Sequence, residues 1–198
     1  MRRPRAGFAR ILPAGLCSAV LLVAAARGAT GDLEELMRLL AARRHGEVSF
    51  VEQHFMKLTR RPVESFGELT YEAPDRLEKR TVEPRPETLE VAGDVLTIER
   101  KGRSRVLDLR AYPAVAPFVD SIRATLAGDL GTLERIFSVD YAGDLSRWSL
   151  TLAPRDPQVA RMVSQVRIDG ARDTLLSVEI LERDGDRSLM TLRDHRAP

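Results

Sequence analysis

The sequence predicts an α+β fold: one large, strongly curved antiparallel sheet of ten or eleven strands with helices on one side. Two observations predict it. Short runs of alternating apolar and polar residues, separated by tight-turn dipeptides, fill most of the chain between residues 47 and 193. A pair of segments with helical periodicity interrupts them near the middle, where it can cross one face of the sheet.

Asp32 to Arg44 reads as the first helix. Asp32 is the candidate N-cap, and Leu33, Leu36, Met37 and Leu40 share a face, with Gly46 as the stop. The first strand comes next, with Val48, Phe50, Glu52, His54, Met56 and Leu58 on one face and Ser49, Val51, Gln53, Phe55 and Lys57 on the other. Apolar residues occur on both faces, so each needs cover or a ligand. Arg60-Arg61-Pro62 breaks the run. Phe66 to Glu72 and Arg76 to Val82 form the next strands around the Ala73-Pro74-Asp75 turn. Two hairpins continue the meander: Thr88 to Ala92 into Val95 to Arg100 through Gly93-Asp94, and then Arg103 to Leu109 through Lys101-Gly102.

The period then changes. Val115, Phe118, Val119, Ile122 and Leu126 form a helical stripe, and Leu130, Leu133 and Ile136 a second, shorter one. Strands resume at Phe137 to Tyr141 and Trp148 to Leu152, with Trp148 expected in the core. Asp156-Pro157 has the form of a third helix start, running to Val163. Val166 to Asp169, Thr174 to Glu182 and Arg187 to Arg193 complete the sheet.

Residues 1–29 read as a cleavable export signal. Arg2, Arg3, Arg5 and Arg10 precede an apolar run from Ile11 to Ala26, and small residues allow cleavage after Ala26 or Gly28. Residues 30–198 then form a single domain in the periplasm. Cys17 is the only cysteine and falls in the leader, so the mature chain has no thiol for disulfides, nucleophilic catalysis or metal binding. Five of the 31 basic residues precede Gly28, leaving 26 against 29 acidic ones, a net of about −3. The basic pI of 9.0 belongs to the leader, which removes the main support for nucleic-acid binding.

No catalytic constellation stands out. His45, His54 and His195 lack zinc-motif spacing to a further ligand, and no nucleophile elbow, P-loop or dinucleotide fingerprint occurs. Lys101, Arg103 and Arg105 form a basic hairpin tip that reads as a solvated edge. The expectation is a binding protein with neither catalytic residue, metal nor cofactor.

Three motifs carry a resemblance. VSFVEQHF (48–55) is similar to a strand with Phe, one residue, then Gln, although Gln53 stands one place late. GELTYEAPDRLEK (67–79) supplies Gly67, Leu69 and Pro74. The third is the tail, with LTLAPRD (150–156), VRIDG (166–170) and a closing hairpin around Asp186-Arg187-Ser188. In this order, behind a leader, they resemble the LolA-like periplasmic carriers of outer-membrane lipoproteins. The resemblance implies an open half-barrel with a helical lid over an apolar cavity for acyl chains. It also implies a monomer, an inner-membrane donor protein and an outer-membrane acceptor. The implied lining is Phe50, Leu69, Tyr71, Leu89, Val91, Leu96 and Ile98 from strands, with Val115, Phe118, Val119, Ile122 and Leu126 from the lid. One departure matters: the family's lid-locking Arg is Ala73 here, so the lock is absent or comes from elsewhere, with Arg76 the nearest candidate. That departure fits a divergent branch carrying another amphiphile, such as a lipid-like product or glycolipid, while the family role itself is to carry a lipoprotein or related amphiphile between the two membranes. The competing class is a non-transport sensor module that holds a partner protein or peptide on the same sheet.

Overall fold

A computed structural model describes residues 25–112 and 116–194. Eleven strands form one sheet in the order β6-β5-β4-β3-β2-β1-β11-β10-β9-β8-β7. They are β1 (His45–Phe55), β2 (Val63–Glu72), β3 (Arg76–Glu83), β4 (Glu87–Ala92), β5 (Val95–Arg100), β6 (Arg103–Asp108), β7 (Phe137–Asp144), β8 (Arg147–Pro154), β9 (Val163–Ala171), β10 (Thr174–Glu182) and β11 (Arg187–Asp194). Every pairing is antiparallel, and β6 and β7 at the two ends do not pair, so the barrel stays open. The last strand closes onto the first: Phe50 stands opposite Leu192 of β11 and Gly67 of β2.

Three α-helices, α1 (Ala25–Ala42), α2 (Ala116–Ala127) and α3 (Leu130–Ile136), cover the concave face. Leu36, Met37 and Leu40 of α1 and Leu133 of α3 share one buried cluster with Phe50, Trp148, Leu150 and Ile168 of the sheet. Burial of such side chains contributes about 1.5–3 kcal/mol each and supplies most of the drive to fold. Trp148 lies across Gly170, where a Cβ would stand 2.1 Å from the ring, and its indole donates to the Arg172 carbonyl at 2.9 Å. Gly67 lets β3 approach closely, since a Cβ there would stand 1.9 Å from the Arg80 carbonyl oxygen and 2.9 Å from the Phe50 ring.

Several local expectations are corrected. α1 starts at Ala25, so Asp32 lies inside the helix and does not cap it; the good helix formers Ala25, Ala26, Arg27 and Ala29 extend it backwards. Gly46 belongs to β1, where it pairs with Tyr71, and the strand ends before Met56 and Leu58. The third helix is one 3-10 turn, Val159–Arg161. Its chain is drawn off at once into the sheet, with the Arg183 amide donating to the Met162 carbonyl at 2.8 Å. The leader with Cys17, apart from its last residues in α1, and also Val115 and His195, lie outside the described residues. No helix among the described residues is long and apolar enough to cross a membrane.

Candidate apolar crevice under the helices

Antiparallel register sorts the concave face into transverse rows, because directly opposed residues share a face. One row runs Tyr71–Leu77–Val91–Leu96–Leu107 from β2 to β6 and is wholly apolar. The neighbouring row runs Leu69–Lys79–Leu89–Ile98–Arg105 and mixes apolar and cationic side chains. Beyond it, Glu87, Arg100 and Arg103 form a charged row at the end of the strands.

Where α1 and α2 arch over the apolar region, a crevice remains. Leu40 of α1, Ile122 and Leu126 of α2, and Val48, Leu69, Tyr71, Leu77, Leu175, Val178 and Leu192 of the sheet line it. Its polar members are Arg43, Thr70, Asp173 and Thr174. Arg43 donates to the Asp173 carbonyl at 3.3 Å and to Thr174 Oγ1 at 3.2 Å, tying the end of α1 to the β9–β10 turn. The Tyr71 hydroxyl donates to the Pro74 carbonyl at 3.3 Å, and burial is the main cause that pushes its pKa up. The cavity volume is about 70 Å³. On that measure one water needs about 10–15 Å³, so the crevice is far smaller than a long acyl chain and admits one only if the helices move.

Of the residues expected to line a cavity, Leu69, Tyr71, Ile122 and Leu126 meet in this crevice. Phe50 is buried in the main core beneath it. Val91, Leu96, Phe118 and Val119 pack with Leu109 in a second cluster, where α2 rests on β4 and β5. Leu89 is half-buried opposite Lys79 and Ile98. Ile98 lies in a separate groove beside Glu87 and the cations of β5 and β6. The lining from β10 and β11 (Leu175, Val178 and Leu192) was not anticipated. Its signal, apolar residues alternating on the closing hairpin, is that of any core strand, and only the β1–β11 pairing brings it to the crevice.

The lid's hold on the sheet does not come from Arg76. That side chain pairs with Glu72 at 3.1 Å and Glu90 at 3.2 Å within the sheet. Arg123 of α2 donates instead to the Gly93 carbonyl in the β4–β5 turn and to Asp120 at 2.9 Å. Ala73 does contribute its backbone, donating to the Arg44 carbonyl at 2.9 Å. A second clamp lies at Gly128 (φ +66°), where a Cβ would stand 2.0 Å from the Met37 carbonyl oxygen, so α1 meets the α2–α3 link backbone to backbone.

One charged pair borders the crevice region. Glu52 and Lys79 meet at 2.5 Å, the Ser188 and Ser65 hydroxyls donate to the carboxylate, and Lys79 stands 5.1 Å over the Phe50 ring. Burial pulls the Glu52 pKa upwards, but Lys79 and the two hydroxyls outweigh it and hold the carboxyl below its ordinary value.

Residues 24–194 match the profile of the family described as "Outer membrane lipoprotein carrier protein LolA-like". The chain belongs to this LolA-like family. Among solved structures, this LolA-like chain is similar to a LolA superfamily protein from Nitrosomonas europaea, at 12% identity and a TM-score of 0.45 over 86% of this chain and 94% of that one. It is also similar to the MucA/MucB complex structure from Pseudomonas aeruginosa, at 14% identity and a TM-score of 0.45 over 84% of this chain and 58% of that one. A third likeness is to the Mycobacterium tuberculosis lipoprotein LppX, at 10% identity and a TM-score of 0.41 over 85% and 98%. No curated protein sequence is significantly similar to the chain.

Proposed function

We propose that residues 1–29 direct export and are removed. The remaining domain is then a periplasmic carrier that holds the acyl chains of a lipoprotein or related amphiphile and moves it between the inner and outer membranes. The observation that supports this reading is the apolar crevice between α1, α2 and the concave sheet, in a chain of the LolA-like family. An acyl chain gains about 0.8 kcal/mol per buried CH₂, so ~16 carbons gain roughly 12 kcal/mol gross on leaving water. A membrane offers the same gain, so exchange between the two needs a site about as apolar as lipid and a cover that opens. The crevice is lined mostly by apolar side chains, and among the described residues α2 is tied to the sheet by the Arg123 side chain on the Gly93 carbonyl. No catalytic residue is needed, and donor and acceptor proteins in the two membranes would supply direction.

Organic extraction and mass spectrometry of the mature chain, purified from the periplasm, test the reading. Lipid near one-to-one stoichiometry is the expected result. A chain that emerges empty and takes up no fatty acid would favour the sensor module instead, with the same face holding a protein or peptide.

A further inference from the structure

The concave face does not end at the crevice. Past the apolar row under α2, the groove over Ile98 is lined by Glu87, Arg100, Lys101, Arg103 and Arg105. Its volume is about 660 Å³, and it opens along β6, the free edge of the sheet. Among the described residues, Lys101, Arg103 and Arg105 have no carboxylate, carbonyl or ring partner, and all three are exposed. Arg100 is tied only loosely to Glu87, at 3.8 Å. Four cations therefore face one carboxylate, in a mature chain whose net charge is about −3.

Charged side chains on an edge strand resist pairing with another chain, but here the cations also line one groove together. Its placement is specific as well. Arg105 is in register with Ile98, Leu89, Lys79 and Leu69; Lys79 is neutralised by Glu52, and Leu69 lines the crevice. Ile98 on β5 is two strands from the crevice wall at β3, about 10 Å at normal strand spacing. An amphiphile with its chain under α2 and its head towards β6 would run past the Glu52-paired Lys79 and over Leu89 and Ile98 to the unpaired cations at the sheet edge.

We propose that this groove is the headgroup site for an anionic amphiphile, a phosphate- or carboxylate-bearing lipid whose acyl chain enters the crevice. The inference rests on the carrier reading and narrows its cargo. Guanidinium groups suit it, because their fixed fork of donors matches phosphate and carboxylate oxygens.

The test is a displacement assay with the mature chain and a fluorescent fatty acid, at low salt, using competitors with one common acyl chain. The competitors are a monoacylglycerol, a lysophosphatidylcholine and a lysophosphatidic acid. The phosphate monoester should bind at least tenfold more tightly than the uncharged glyceride, and 0.5 M salt should erase most of that difference. R103E/R105E should abolish the preference while leaving glyceride affinity within twofold; both side chains are exposed, and R103Q/R105Q serves as the milder check. Inorganic phosphate alone should not displace the probe. Equal affinity for charged and uncharged competitors, or an unchanged preference in R103E/R105E, overturns the headgroup site and leaves the carrier standing. Displacement by inorganic phosphate as effective as by the phosphate monoester also overturns it, because the groove would then be a free-anion site. A chain that binds neither probe nor competitor overturns both.

Discussion

Arg123 of α2 reaches the carbonyl oxygen of Gly93 in the β4–β5 turn, joining the helix over the crevice directly to the sheet beneath it. The guanidinium is largely buried, at 17% exposure, and its other nitrogen holds Asp120. A charged donor to a carbonyl contributes about 1.5–3 kcal/mol. Arg123→Ala should therefore lower stability by roughly 1–2 kcal/mol and speed fatty-acid uptake several-fold in stopped-flow fluorescence. Unchanged uptake with lowered stability would make Arg123 a structural anchor only.

Gly128 tests the second clamp. Gly128→Ala places a methyl against the Met37 carbonyl and Ala41 at a left-handed backbone position. Overpacking and strain together should cost roughly 2–4 kcal/mol. Urea unfolding would show this as a lower midpoint at unchanged slope.

Tyr141 predicts a gain. Its hydroxyl is buried without a hydrogen-bond partner among the described residues, and burial, with Asp32 and Asp144 nearby, pushes its pKa up. Removing an orphaned donor relieves a desolvation penalty, so Tyr141→Phe should stabilise the fold by about 1 kcal/mol. Thermal unfolding of the two proteins side by side gives the comparison.

Glu52 sets a pH dependence. Its folded pKa lies below the ordinary 4.5, so as pH falls the unfolded chain takes up the proton first. The stabilisation from Lys79, Ser188 and Ser65 is complete above 4.5 and is lost as pH falls from there through the folded value. Denaturant titrations at a series of pH values should show this decline in the native chain and a shallower one in Glu52→Gln.

Much of the fold could be read from sequence because its signals are local. The hairpins through Gly93-Asp94 and Lys101-Gly102 come from turn chemistry, and both Lys101 and Gly102 have the positive φ that such a turn requires. Leu130, Leu133 and Ile136, read as a short helical stripe, fall on α3. Asp156-Pro157 misled because a good helix start does not set the helix's length, and the link to β9 is too short for more than one turn. The crevice was only partly legible for a different reason. Leu69 and Leu89 flank Lys79 in one row and have a similar pattern, yet Leu69 lines the crevice under α2 and Leu89 does not. Where α2 sits depends on close approaches such as Gly128 on Met37, which sets the α2–α3 link against α1 and which no periodicity encodes. Arg123 was missed because a cation on a helix reads as solvated until the turn it reaches is in place.

The most direct test of the central claim is equilibrium uptake of a fluorescent long-chain fatty acid by the mature chain, native against Ile122→Asp. Ile122 is half-buried, lines the crevice from α2 and packs against the edge of the main core, so a carboxylate there meets any bound acyl chain while its other side stays open to solvent. The account predicts saturable one-to-one binding by the native chain and at least a tenfold loss in Ile122→Asp, with unfolding that remains cooperative. Native-like binding by a folded Ile122→Asp chain, or no uptake by the native protein, would contradict it.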